Sequence, residues 1–268
     1  MVKVSPGTFI SILDASLVPI SDMRKKPLGT ESSNFIALIF RPNEIGIEYT
    51  SNTLCFSTSV PSSGVSASAT LHQSRVLVHL KDLVNLVRCC CDNTTEDVEI
   101  EEYDDEIFFK SNGFEGQIKC IDEASIFGPS QLSQLGSTMV SFIADSDILF
   151  SAFHQFLMTP IPKKIVFSVS SVGNIVLNNT EEDRAEYPLS THAEIAPQFV
   201  SNLVCTSPFS CAILGINLSP ICSFLAIGGK CQVTITADSW IVFRRKFISN
   251  SDGELRVYVS SIDLVSGG

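Results

Sequence analysis

Eight carboxylates fall in the eleven residues of "EDVEIEEYDDE" (Glu96 to Glu106), a density that metal-dependent nucleases also use. Metal chemistry needs carboxylates that converge from separate elements, whereas these alternate with Val98, Ile100 and Tyr103 along one stretch of chain. The spacing predicts a solvated acidic hairpin. "CCC" (Cys89 to Cys91) is the next candidate, and it lacks a C-x-x-C spacing or a nearby His pair, so it reads as helix-end packing. His72, His79, His154 and His192 stand outside any H-E-x-x-H or nucleophile-elbow context, and there is no Gly-rich phosphate loop. No catalytic constellation, metal site or cofactor motif emerges.

The remaining chemistry is that of phosphate contact. Arg24, Lys25 and Lys26 end one predicted helix, Lys81 and Arg88 lie seven residues apart on one face of a second, and Lys230 follows a fourth. Cations at such positions either meet a polyanion or complement the helix dipole.

These residues sit in a chain that repeats itself. Leu80, Leu83, Val84, Leu86 and Val87 recur at helical spacing, as do Leu218, Ile221, Phe224 and Leu225. A hairpin follows each helix: Val98 and Ile100 then Ile107 to Phe109 in the first copy, Val233 and Ile235 then Ile241 to Phe243 in the second. Asn112-Gly113 and Asp252-Gly253 supply turns into a further strand each, Phe114 to Ile121 and Glu254 to Ile262. "ISILDASLVPISDM" from Ile10 matches "SFIADSDILFSAF" from Ser141, each read as a strand, an Asp, a Ser or Asp as N-cap and then a helix. Pro19 fits that reading only in the helix's first turn.

Two similar domains are therefore expected, over 1–123 and 138–268, joined by a linker over 124–137 rich in Gly, Pro, Ser and Gln. Four short helices cannot cover both faces of so much sheet. The class is α+β, with helices on one face and antiparallel sheet on the other. Edge strands at the two ends would invite head-to-tail pairing with other chains.

Composition agrees with a folded chain: 44% of the 268 residues are hydrophobic and 18% charged. A formal charge of −11 argues against a general nucleic-acid coat. Lys3, Pro6, Asp14 and Pro19 interrupt any leader-like apolar run, and the longest clean run, Phe35 to Phe40, is far too short to span a bilayer. Nine cysteines scattered through apolar stretches suit a reducing, intracellular setting.

The duplicated pattern resembles the sliding DNA clamps of the PCNA type over nearly the whole chain. "SILDAS" near the first helix, "AEYP" (Ala185 to Pro188) and "FISNSDGELRVYV" (Phe247 to Val259) are most similar to the Rad-one type of subunit in the checkpoint clamp, the nine-one-one complex. The resemblance implies the DNA-clamp fold, with two helices per domain on the inner face. It also implies a non-catalytic nuclear subunit of a heterotrimeric ring that encircles duplex DNA in damage signalling and repair. Its partners would be two other clamp subunits, an ATP-dependent loader, and repair and checkpoint proteins, without membrane or cofactor. Lys81, Arg88, Lys230, Arg24, Lys25 and Lys26 would face DNA. Gly113, Phe114, Gln117, Ile118 and Cys120 would form one ring joint, and Arg184, Glu186, Tyr187 and Pro188 the other. Ile126, Phe127, Leu132 and Leu135 would border a pocket for partner peptides. A homotrimeric replication clamp and a carboxylate-dependent exonuclease are the alternatives.

Overall fold

The computed structural model describes residues 2–24, 35–41, 43–50, 54–65, 74–91, 95–121, 135–158, 164–179, 192–205, 208–246 and 254–266, with backbone alone for 18–24, 64–65 and 262–266. The first half runs β1 (Val2–Val4), α1 (Pro6–Arg24), β2 (Phe35–Arg41), β3 (Glu44–Thr50), β4 (Leu54–Pro61), β5 (Gly64–Val65), β6 (Ser74–His79), α2 (Leu80–Cys91), β7 (Val98–Tyr103), β8 (Glu106–Ser111) and β9 (Phe114–Lys119). The second runs β10 (Thr138–Asp145), α3 (Ser146–His154), β11 (Lys164–Val169), β12 (Ile175–Asn179), β13 (His192–Ile195), β14 (Val200–Cys205), β15 (Phe209–Leu214), α4 (Leu218–Leu225), β16 (Lys230–Thr236), β17 (Trp240–Lys246) and β18 (Glu254–Ser266).

Both halves thread their strands in the same order. The second reads β14-β10-β16-β17-β18-β15-β11-β12-β13. The first reads β5-β1-β7-β8-β9, then a single bridge from Ile121 to Leu77, then β6-β2-β3-β4. One antiparallel seam joins them, β4 to β18, with Leu54 opposite Val259 and Thr58 opposite Leu255. The four helices lie side by side: α1 packs against both α2 and α4, and α3 against α4. None of the described helices is long and apolar enough to cross a membrane.

The core between helices and sheet is continuous through both halves. Phe153 of α3 stacks on Phe167 of β11 at 6.1 Å and meets Phe243 of β17 edge-on at 5.8 Å, while Phe9 of α1 stacks on Phe109 of β8 at 6.5 Å. Along α2 the buried residues are Leu80, Leu83, Val87, Cys90 and Cys91, while Val84 and Leu86 of the expected stripe are only partly buried. Asp82 in its first turn and Arg88 in its last complement the helix dipole.

The first helix departs from the reading of the sequence. Ile10 to Leu13 are helical rather than a strand, and α1 begins at Pro6, whose fixed φ and missing N–H suit a first turn. Phe9, Ile12, Leu13 and Ser16 are buried at spacings of three, one and three, and the Ser16 hydroxyl donates to the Ile12 carbonyl at 2.6 Å. Pro19 therefore lies in the helix interior, where it cannot donate to the Ala15 carbonyl. The preceding strand has three residues, too few to show an alternation.

Asn112 and Gly113, at φ 32° and 84°, close the β8–β9 hairpin as the Asn-Gly pair predicts. Gly116 of β9 is needed for packing: a β-carbon there would lie 2.3 Å from Leu86 Cδ1 on α2 and 2.9 Å from the Phe114 ring. Gly116→Val is accordingly expected to push α2 off β9 and cost about 1–3 kcal/mol, read as a lower urea midpoint at unchanged m. A variant as stable as the parent would show that α2 does not rest on this strand.

Candidate nucleic-acid interface and ring joints

On the exposed side of the helix layer, Lys81 and Arg88 both project from α2 as exposed side chains. Arg88 is not free: its Nη2 lies 3.1 Å from Asp14 Oδ1 on α1. Lys81 enters no ion pair among the described residues. Lys230 opens β16 directly opposite Asp145, which stands at the N-cap position of α3 without a side-chain capping bond, and its Nζ lies 2.8 Å from the Asp145 carboxylate. The backbone of Arg24 ends α1, while its side chain, Lys25 and Lys26 lie outside the described residues. On α3, His154 stacks on Phe150 at 4.9 Å, and α4 carries no charged residue.

The strand termini that end each half carry the second feature. Residues flanking a two-residue turn form a hydrogen-bonded pair, and the bonds alternate from there. Ser111 with Phe114, Phe109 with Gly116 and Ile107 with Ile118 thus spend their backbone groups inside the β8–β9 hairpin. The N–H and C=O groups of Glu115, Gln117 and Lys119 point off the sheet. Cys120 donates inward to Asp105 at 2.6 Å, and Ile121 donates across to Leu77 at 2.8 Å. The open part of the edge is therefore Phe114–Lys119, with Ile118 buried beneath it and Phe114 exposed at its tip. At the far end of the sheet, β13 pairs among the described residues with β12 alone, through His192 opposite Asn178 and Ile195 opposite Ile175. Arg184, Glu186, Tyr187 and Pro188 precede it and lie outside the described residues.

The internal seam shows what such an edge does. Phe109 and Phe243 occupy matching places in the repeat, and they pair with Gly116 and Val257 respectively. Gln117 therefore stands where Tyr258 stands in β18, and Tyr258 is paired with Cys55 of β4. Among the described residues, the edge of β9 has no partner at the position where β18 is closed by a strand from the other half.

Beside that seam, on the face of the sheet away from the core, lies a cleft of about 340 Å³ lined by Arg41, Glu44, Glu48, Arg244, Glu254 and Arg256, among others. Glu254 accepts from Arg244 Nε at 2.6 Å and from Arg256 Nε at 2.8 Å. Burial pushes its carboxyl up, but the two guanidinium hydrogen bonds and their charges outweigh that and hold it below the usual carboxylate range. Glu48 goes the other way, since burial raises it and Arg75, 3.8 Å distant, compensates only in part. Cys55, Val242 and Tyr258, with Trp240 against them, make a small apolar cluster adjoining the cleft. The predicted linker residues Ile126, Phe127 and Leu132 lie outside the described residues, while Leu135 is 40% exposed.

The acidic stretch leads in through Glu96 and Asp97 and then forms β7, its turn and the start of β8, with Glu99 held by Lys3 at 2.7 Å. Among the described residues no three His, Cys, Asp or Glu side chains converge as metal ligands. Cys90 and Cys91 are buried at the end of α2, and burial pushes the Cys90 thiol up to about 12.

Sequence reasoning missed Glu254, Arg244 and Asp14. Alternation along the closing hairpin could have placed Arg244, Arg256 and Tyr258 on one face. Asp14 carried no signal, because its partner is 74 residues away.

No family model and no curated protein matches this sequence. Solved structures do. The Helicobacter pylori beta clamp in complex with 3,4-difluorobenzamide superposes with a TM-score of 0.69 at 12% identity, covering 99% of this chain and 66% of that one. The chain thus spans about two thirds of the beta clamp's length. Proliferating Cellular Nuclear Antigen from Entamoeba histolytica matches over 98% of both chains, with a TM-score of 0.67 and 8% identity. This chain has the DNA-clamp fold. PCNA from A. fulgidus, solved with the C-terminal region of FEN-1 bound, also matches, covering 100% of this chain and 99% of that one at a TM-score of 0.63 and 9% identity. Within this fold the two halves share one strand order, and the described helices form the row α2-α1-α4-α3.

Proposed function

We propose that this chain is a non-catalytic subunit of a ring-shaped DNA clamp, assembled with two other clamp subunits as in the heterotrimeric checkpoint clamp, where it would take the Rad-one place. The observation that carries the reading is the β4–β18 seam. It joins the two halves edge to edge, and the chain leaves the equivalent edge, Phe114–Lys119, open at one end with β13 at the other. Pairing each with a different neighbour would repeat the seam and close a ring, and the helix layer would then line the hole around duplex DNA. Such a ring needs a separate ATP-driven loader and would act in the nucleus. The cleft and apolar cluster beside the seam would be the place for repair and checkpoint partners. Neighbours of the same fold were solved with a DNA ligase peptide, with the FEN-1 C-terminal region and as a PCNA2–PCNA3 complex, which supports docking and hetero-assembly by analogy.

The test is assembly and retention. Native mass spectrometry should find the chain monomeric alone and in a 1:1:1 complex when co-expressed with two clamp-fold partners. That complex should slide off linear DNA and stay on circular DNA. Lys81→Glu should shorten its stay about threefold at moderate salt, since a phosphate contact is lost without a change in sequence preference. A chain that never associates with clamp-fold partners, or that degrades DNA with magnesium or manganese, would sink the reading and favour the exonuclease alternative.

A further inference from the structure

We infer that the helix layer of this chain is nearly neutralised by its own carboxylates, so that DNA is held in the ring by basic helix faces on the neighbouring subunits. The inference rests on the ring reading and deepens it by stating the chemistry of the partners. The sequences of α1 to α4 carry three cations, Arg24, Lys81 and Arg88, against four carboxylates, Asp14, Asp22, Asp82 and Asp147, a formal net of −1 from Lys, Arg, Asp and Glu.

Geometry reduces the cations available still further. Arg88 is clasped by Asp14 at 3.1 Å across the α1–α2 contact, with both side chains about half exposed. Lys230, at the junction of strand and helix layer, is clasped by Asp145 at 2.8 Å. Half-exposed pairs of this kind contribute little to stability, so their consequence is mainly electrostatic. A paired guanidinium offers a phosphate a dipole rather than a full charge, and it releases fewer counterions on binding. Duplex DNA presents one negative charge per ~1.7 Å of axis, and a hole lined by three copies of this layer would not match it. Two neighbours with an excess of Lys and Arg on their helix faces would. The same logic disfavours a homotrimer.

Asp14→Asn separates the possibilities, because it frees Arg88 without adding a cation. In the co-expressed ring on nicked circular DNA, the plot of log retention against log salt should steepen by about 0.9 relative to the parent. Glu101→Gln makes the same charge change on β7, where alternation turns the side chain away from the helices, and should leave the slope unchanged. Charge reversal on the partners' helix faces should abolish retention. The idea is overturned if Asp14→Asn behaves like Glu101→Gln, or if this chain alone forms a ring that DNA retains. A second readout needs no ring: fluorescence anisotropy of the full chain with a 30-base-pair duplex should show tighter binding for Asp14→Asn than for Glu101→Gln. Equal affinities there would overturn the compensation even where a ring forms. Failure of any ring to form, with the affinities unequal, would instead count against the clamp reading.

Discussion

In the proposed ring, Gln117→Pro is expected to detach one neighbouring subunit and leave the other bound. The alternation in the β8–β9 hairpin turns the Gln117 N–H outward, so a proline there removes a hydrogen-bond donor from the joint while every bond to β8 survives. Ile118, which the resemblance also places in this joint, is the wrong position for such a test. Its N–H is spent on Ile107 inside the hairpin and its side chain is buried, so Ile118→Pro would damage the domain rather than the interface. The clean result is a 1:1 complex in place of three subunits for Gln117→Pro, with a melting temperature within a degree or two of the parent. For Ile118→Pro, the melting temperature itself should drop. A three-subunit complex that survives Gln117→Pro would show that β9 is not a joint.

Removing the Glu254 carboxylate should have the larger effect on stability. Glu254→Ala leaves Arg244 and Arg256 without the acceptor they share beside the seam, where the backbone carbonyl of Glu254 also accepts from the Thr58 hydroxyl of β4 at 2.8 Å. The glutamate is buried but both guanidiniums are 42% exposed, so water recovers part of the loss and about 1–3 kcal/mol is expected. The pH dependence follows from the direction of the shift. The carboxyl is lower in the fold than its ordinary 4.5, so its stabilising contribution is complete above pH 4.5 and disappears as pH falls through the lowered value. Urea titrations of the parent and of Glu254→Gln should therefore differ most at neutral pH and converge below pH 4.5. A gap independent of pH would mean that the carboxylate charge contributes nothing to the seam.

Local periodicity and turn chemistry were legible because they depend on residues within one or two turns of chain. The stripe Leu80, Leu83, Val87 predicts α2, the alternation through Val98, Ile100, Ile107 and Phe109 predicts the hairpin, and Asn112-Gly113 predicts its partner strand. Matching these against Leu218 to Leu225 and Val233 to Phe243 revealed the repeat, and with it the fold class. The start of α1 was not legible. A three-residue strand leaves no pattern, and Pro19 argued for a later start that the burial of Phe9, Ile12, Leu13 and Ser16 overrides.

The sequence by itself determined a duplicated α+β chain with helices on one face, edge strands at its ends and cations placed on helices. Only the tertiary structure decided which of those cations are free, since Asp14 reaches Arg88 through the packing of α1 on α2 and Asp145 meets Lys230 through a strand register. It also decided which backbone groups of β9 face outward, because the parity of hydrogen bonding is set by the turn and the partner strand together. Glu254 belongs to the same class: its value lies in a seam between segments almost 200 residues apart, a contact that chain-local forces do not encode.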